Sequence, residues 1–221
     1  MKSQIFYTDD HKQIESSIKD FLNAQDDFLS PSTAHSTRAA GDAIEGILAE
    51  HFSSLLGNRC REYSADFARR SMADLAFKDK DQLYYIVDVK THRSSTKFNV
   101  PNLTSVDRLA RFYEDDSNYF VVLLVTYDLE GTKAVVSEVR FVPIEFLAWD
   151  CLTIGALGWG QIQIANSNYI NVIPRYSRKK WMLELCDVLL EFYPKEVLKI
   201  HKRMERFEKL RQVWLAKADD A

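Results

Sequence analysis

Residues 71–93 read SMADLAFKDKDQLYYIVDVKTHR, and the fold is decided here. LYYIV is aromatic and β-branched, which marks a buried strand over Leu83–Thr91. ADLAF belongs to a shorter strand over Met72–Phe77, and the polar turn KDKDQ joins the two as a hairpin. Side chains alternate along a strand, so Asp88 and Lys90 share one face while Val87 and Val89 share the other. The hairpin brings Asp74 beside Asp88. Two carboxylates held close repel, and a hard divalent cation with oxygen ligands relieves that repulsion. Mg²⁺, with Mn²⁺ as a substitute, needs only a couple of carboxylates beside water and phosphate. A neighbouring lysine orients or deprotonates the attacking water and offsets charge developing on phosphorus. The same spacing also fits a plain Asp–Lys ion pair at a strand end, with Asp74 capping a turn.

Outward from the hairpin, residues 10–29 carry Ile14, Ile18, Phe21, Leu22 and Phe28 near helical spacing. The stretch SPSTAHSTRAAG reads as a polar turn. A second helix spans Asp42–Leu56, with Glu45 at the edge of an apolar stripe that includes Ile44, Leu48 and Phe52. Downstream come a helix over Ser105–Tyr113 and strands at Tyr119–Tyr127 and Ala134–Val142. A short helical piece at Ile144–Asp150 and the glycine-rich GALGWGQ follow. Two short strands lie near Gln161–Ala165 and Tyr169–Ile173. Two helices, Arg178–Tyr193 and Pro194–Ala216, complete the pattern, with Pro194 at their junction. The fold class is α/β (α+β): a mixed central sheet flanked by helices, with a C-terminal helical pair.

The chain has 221 residues, enough for one sizeable domain. Its formal net charge of −3 argues against indiscriminate nucleic-acid affinity, but the distribution is uneven. From Arg175 to Arg211 there are 11 Lys or Arg against 6 Asp or Glu. Three scattered cysteines suggest neither a disulfide framework nor a zinc cluster. The opening MKSQIFYTDDHKQIE lacks the apolar core of a signal peptide, and Tyr119–Val125 is too short to cross a bilayer. A cytoplasmic protein is expected. Absence of a Gly-rich phosphate loop and of a nucleophile elbow argues against a metabolic enzyme. His92 reads as a surface or phosphate-facing residue.

ADLAF and VDVK together resemble the PD-(D/E)XK nuclease superfamily, ADLAF supplying the first acid and VDVK the second acid and the lysine. Ala73 stands where that pattern has proline, a change that leaves the metal ligand intact. The longer run ADLAF…YYIVDVKT…VPNLTS…RLARF resembles type II restriction endonucleases from about Ala73 to Ala110, with weaker echoes at GQIQI and in the terminal helices. GDAIEGILAEHF is similar to the helix that precedes the catalytic sheet in those enzymes.

The resemblance implies a homodimer that hydrolyses double-stranded DNA at a short palindromic site, leaving 5′-phosphate and 3′-OH ends, with a host methyltransferase protecting that site. It places Mg²⁺ on Asp74, Asp88 and the Val89 carbonyl, gives water activation to Lys90, and makes Glu45 a supporting acid or extra metal contact. Phe98 or Asn99 would wedge into the minor groove and Asn102 would contact backbone or base, Phe98 being equally a core aromatic. Gln161, Gln163, Asn166 and Asn168 would read base edges. Trp159 is taken as a loop anchor in the core. Arg175, Arg178, Lys179 and Lys180 would contact phosphates, and later cations would be solvated. Residues 1–35 would form an N-terminal helix suited to dimerisation, 36–142 the catalytic core, 143–175 the recognition elements and 176–221 the terminal helices. Two rivals remain: a repair nuclease or junction resolvase with the same motif, and a DNA-binding module without catalysis.

Overall fold

The computed structural model describes residues 2–25, 30, 36–63, 73–96, 101–165 and 170–218. The chain forms two compact units, Met1–Ser177 and Arg178–Ala221. In the first, α1 (Gln4–Tyr7), α2 (Asp10–Asn23) and α3 (Thr37–Leu56) precede β1 (Glu62–Tyr63), β2 (Leu75–Lys78) and β3 (Tyr84–Arg93). There follow β4 (Asn102–Ser105), α4 (Val106–Phe112), β5 (Asn118–Glu130), β6 (Lys133–Pro143), two 3₁₀ turns, β7 (Leu152–Gly155) and β8 (Gln161–Ile164).

The central sheet is mixed, in the order β1-β2-β3-β5-β6. β2 and β3 form the expected antiparallel hairpin, from Leu75↔Val87 to Lys78↔Tyr84. β3 and β5 run parallel from Tyr84↔Asn118 to Arg93↔Tyr127. Tyr119–Val125 is buried on both faces, which explains its unbroken apolar run. Asp79 ties the hairpin turn: its Oδ1 accepts the Asp81 and Leu83 amides at 2.9 and 3.0 Å, and its Oδ2 bonds the Tyr85 hydroxyl at 2.7 Å.

α3 buries Ile44, Leu48, Phe52 and Leu56 completely. It begins five residues before the expected Asp42, because the Ser36 hydroxyl caps it by accepting the Ala39 amide at 3.2 Å. The segment that reads as a turn is thus partly the first turn of this helix. α2 buries Ile14, Ile18 and Leu22 completely. That apolar stripe is consumed within the first unit, so it is unavailable as the dimer surface that the sequence suggests. α2 also covers the outer edge of β6. Lys19 Nζ donates to the Ser137 carbonyl at 2.8 Å, Asn23 exchanges two bonds with Val136, and Glu15 accepts the Phe141 amide at 2.7 Å.

A second sheet has the order β4-β8-β7, all antiparallel. β4 and β7 are strands that composition does not announce, being only four residues long. Gly158 and Gly160 turn the β7–β8 hairpin at φ of 59° and 112°. The 144–150 helical piece resolves into 3₁₀ turns at Ile144–Phe146 and Trp149–Cys151. The second unit corrects the expected helical pair: α5 is one helix, Arg178–Leu215, that runs through Pro194. Proline lacks the N–H that would reach the Leu190 carbonyl, but the turns on either side carry the helix past it.

Candidate metal and phosphate centre on the β2–β3 hairpin

The β2 pairing begins at Leu75↔Val87, so among the described residues β3 from Asp88 onward has no strand beside it on that edge. Asp74 fills the next position with its side chain. Its amide donates to the Val87 carbonyl at 3.0 Å, and its Oδ2 accepts the Val89 amide at 2.7 Å. Asp74 is thereby pinned against the strand that carries Asp88 and Lys90. A strand residue turns its N–H and C=O to the same side, so the Val89 carbonyl also belongs to the Asp74 edge. These two bonds set Asp74 against the β3 backbone on either side of Asp88.

Asp88 is buried and its Oδ1 accepts from Lys90 Nζ at 2.6 Å. Its Oδ2 is buried with no hydrogen-bond partner among the described residues. Burial pushes the Asp88 carboxyl up to about 7; the Lys90 ammonium pulls it down, and the charges of Asp74 and Glu45 push it further up. Asp88 therefore feels two further carboxylate charges against the single ammonium that it holds. The excess of acid, an orphaned carboxylate oxygen and a carboxylate pinned beside a strand carbonyl fit a divalent cation with oxygen preference. Asp74, Asp88 and the Val89 carbonyl are the atoms that would hold it. No three His, Cys, Asp or Glu side chains among the described residues are placed to hold one ion together; Mg²⁺ commonly takes only one or two carboxylates and completes its shell with water or phosphate.

α3 crosses β3 closely at this point. A Cβ on Gly41 would lie 2.6 Å from Thr91 Oγ1, so glycine is what lets the helix approach. A cleft of about 290 Å³ lies between them, where Glu45, Thr37 and Arg38 meet Val89 and Lys90. Glu45, half-buried on α3, is one of the residues lining this cleft. Thr37 and Arg38 are additions to the sequence reading, hidden because their segment reads as a turn. The capping serine followed by TRAA is the signal that could have revealed them. His92 lies on the Asp88–Lys90 face but is buried, not on the surface, and burial lowers its pKa.

The expected DNA contacts separate into groups. Asn102 and Gln163 are paired across β4 and β8, Gln163 Nε2 donating to Asn102 Oδ1 at 2.6 Å. Gln161 shares the Gln163 face, while Ile162 and Ile164 are buried on the other. Trp159 is 68% exposed at the β7–β8 tip, which overturns its reading as a core anchor. Phe98, Asn99, Asn166 and Asn168 lie outside the described residues. Arg175, at a left-handed φ of 60°, lines a separate cleft of about 580 Å³ with His11, Lys12 and Arg140. Arg178, Lys179 and Lys180 form the first turn of α5.

No protein-family model matches this chain, and no curated protein matches it.

Proposed function

We propose that this chain is a Mg²⁺-dependent DNA endonuclease of the PD-(D/E)XK type, with a restriction-endonuclease-like core, acting as a type II restriction enzyme. The observation that carries the reading is the edge of β3: Asp74 bonded to the Val89 amide beside a buried Asp88 with one oxygen unpaired and Lys90 on its other oxygen. A structural ion pair explains the Lys90–Asp88 contact but leaves the second Asp88 oxygen and the crowding of acids unexplained.

Mg²⁺ held by Asp74, Asp88 and the Val89 carbonyl would supply Lewis-acid charge and acidify a bound water. Lys90, held by Asp88, places a cation where it can orient that water and stabilise the extra negative charge on phosphorus. Attack of the water oxygen forms the new P–O bond, the P–O3′ bond breaks, and the leaving oxygen takes a proton. The products are a 5′-phosphate and a 3′-OH. Glu45 acts from the cleft, adding negative charge beside Asp88 and strengthening the demand for a cation. Arg38, exposed at the start of α3, is suited to a neighbouring phosphate.

Base reading falls to the second sheet. The Asn102–Gln163 bond holds two side-chain amides in a fixed relation, and fixed amides suit bidentate contact with adenine edges. Gln161 extends the same face. A two-fold enzyme of this kind would read a palindrome, and a methyltransferase would be needed to protect the host's own sites.

The test is incubation of the purified chain with plasmid DNA, with and without Mg²⁺ or Mn²⁺, beside Asp88→Ala. Discrete metal-dependent bands that vanish in the variant are expected, and their ends give the site. Structure-selective nicking would move the assignment to a repair nuclease or junction resolvase. Binding without cutting, unchanged in Lys90→Ala, would leave a non-catalytic DNA-binding module.

A further inference from the structure

Within α5, Tyr193, Val197, Ile200, Met204, Phe207 and Trp214 recur at alternating steps of four and three, the d and a positions of a heptad, with Arg211 at one a position. Each apolar member is between 36% and 65% exposed. The buried residues of this helix, Trp181 and Leu185, occupy outer positions in the same heptad frame. The exposed stripe is therefore a different face of the helix from the one that carries Trp181 and Leu185. Farther along, the outer positions carry Lys195, Lys199, Lys202, Arg206 and Lys209, a solvated back. Leu198 and Val213 fall outside the seam.

We infer that this stripe is the seam of a parallel two-stranded coiled coil formed with a second copy of the chain. The inference stands independently of the nuclease reading. From Tyr193 to Trp214 the repeat holds a period of 3.5 over three heptads, about 33 Å of helix, the shortest run that such pairing sustains. Flanking charges choose the partner and its direction. In a parallel pair, each g position meets the following e position across the seam. Arg203 then faces the partner's Glu208, Glu196 faces the partner's His201, and Leu210 faces the partner's Leu215. An antiparallel pair matching the same layers sets Arg203 against the partner's Arg203. A charged residue at a single a position, Arg211, disfavours higher oligomers because more guanidinium groups would share one layer. The narrow seam between Arg203 and Glu208 also suits a helix better than a lipid surface, which takes a broad apolar face.

Sedimentation of the full chain at micromolar concentrations should show a dimer. Ile200→Glu and Phe207→Glu, at exposed positions, should each give a monomer with unchanged far-ultraviolet circular dichroism. Arg203→Glu should weaken the dimer, and adding Glu208→Arg should restore it. In a Cys186→Ser background, oxidised Phe207→Cys should crosslink the two copies, while Lys209→Cys on the outer face should not. A chain monomeric at every concentration, or a dimer indifferent to Ile200→Glu and Phe207→Glu, overturns the proposal. A dimer that never crosslinks through position 207 overturns the parallel register. A monomer that binds phosphatidylserine vesicles, and loses them with Ile200→Glu, gives the seam to a membrane surface instead.

Discussion

Lys90 is the cation bonded to Asp88 in a site that also draws on Asp74 and Glu45, its ammonium 2.6 Å from the Asp88 carboxylate. Truncating it has two separable consequences. Lys90→Ala leaves Asp88 buried without its cation, so the metal-free protein should lose stability, since breaking a buried pair costs more than forming it contributes. Lys90→Arg keeps the charge but replaces a compact ammonium with a planar fork that cannot occupy the same point. The expected outcome is a Tm close to the parent's with cleavage reduced about a hundred- to a thousandfold. Steady-state cleavage beside thermal melting checks it; activity that simply follows the folded fraction would make Lys90 a structural partner only. Much of this site is legible in the residues themselves, because strand alternation fixes which face Asp88 and Lys90 share. Burial is not. His92 and Trp159 exchange their expected environments, since a strand end can lie under other elements and a hairpin tip can hold an indole outward.

At the scale of elements, the relation of α2 to β6 shows how an edge strand is closed by side chains. Glu15 accepts the Phe141 amide, and burial holds its carboxyl above the ordinary range despite that bond and the nearby Arg140 and His11 charges. A carboxylic acid whose pKa is raised by folding binds its proton more tightly in the folded chain. Its contribution to stability is therefore full below the unfolded value of 4.5 and falls as pH rises from there through the raised folded value. Glu15→Gln keeps an acceptor for Phe141 and removes the titration. It should match the parent near pH 4 and exceed it at pH 7 by at most about 3 °C in Tm. Melting curves at the two pH values decide this, and a variant less stable at pH 7 would mean that the ionised form is the one the fold favours. The helices α2 and α3 were legible from their apolar spacing, and β3 and β5 from their β-branched runs. The four-residue strands β4 and β7 were not, because pairing with β8 rather than local composition makes them strands.

Across the whole molecule, charge is the property that composition states most poorly. A net charge of −3 conceals α5, whose first turn holds Arg178, Lys179 and Lys180 and no acid. Cations at a helix N-terminus oppose the helix dipole, a cost that an anion such as phosphate would reverse. The helix itself was legible in parts: its periodicity is clear on both sides of Pro194, but a proline in sequence looks like a boundary and only the surrounding turns show that it is spanned. If the three cations contact the DNA backbone, duplex binding should carry their counterion signature. Binding to the cleavage site can be followed by fluorescence anisotropy in a Lys90→Ala background, which prevents turnover, across a series of salt concentrations. Each lost phosphate contact flattens the slope of log affinity against log salt by about 0.9. Replacing Arg178, Lys179 and Lys180 together with glutamine should therefore flatten it by about 2 to 3, and should weaken specific and non-specific duplexes alike, because phosphates carry no sequence. A slope that stays the same would return these residues to the solvated face of α5 and leave the second sheet and the α3 cleft as the DNA-facing parts of the chain.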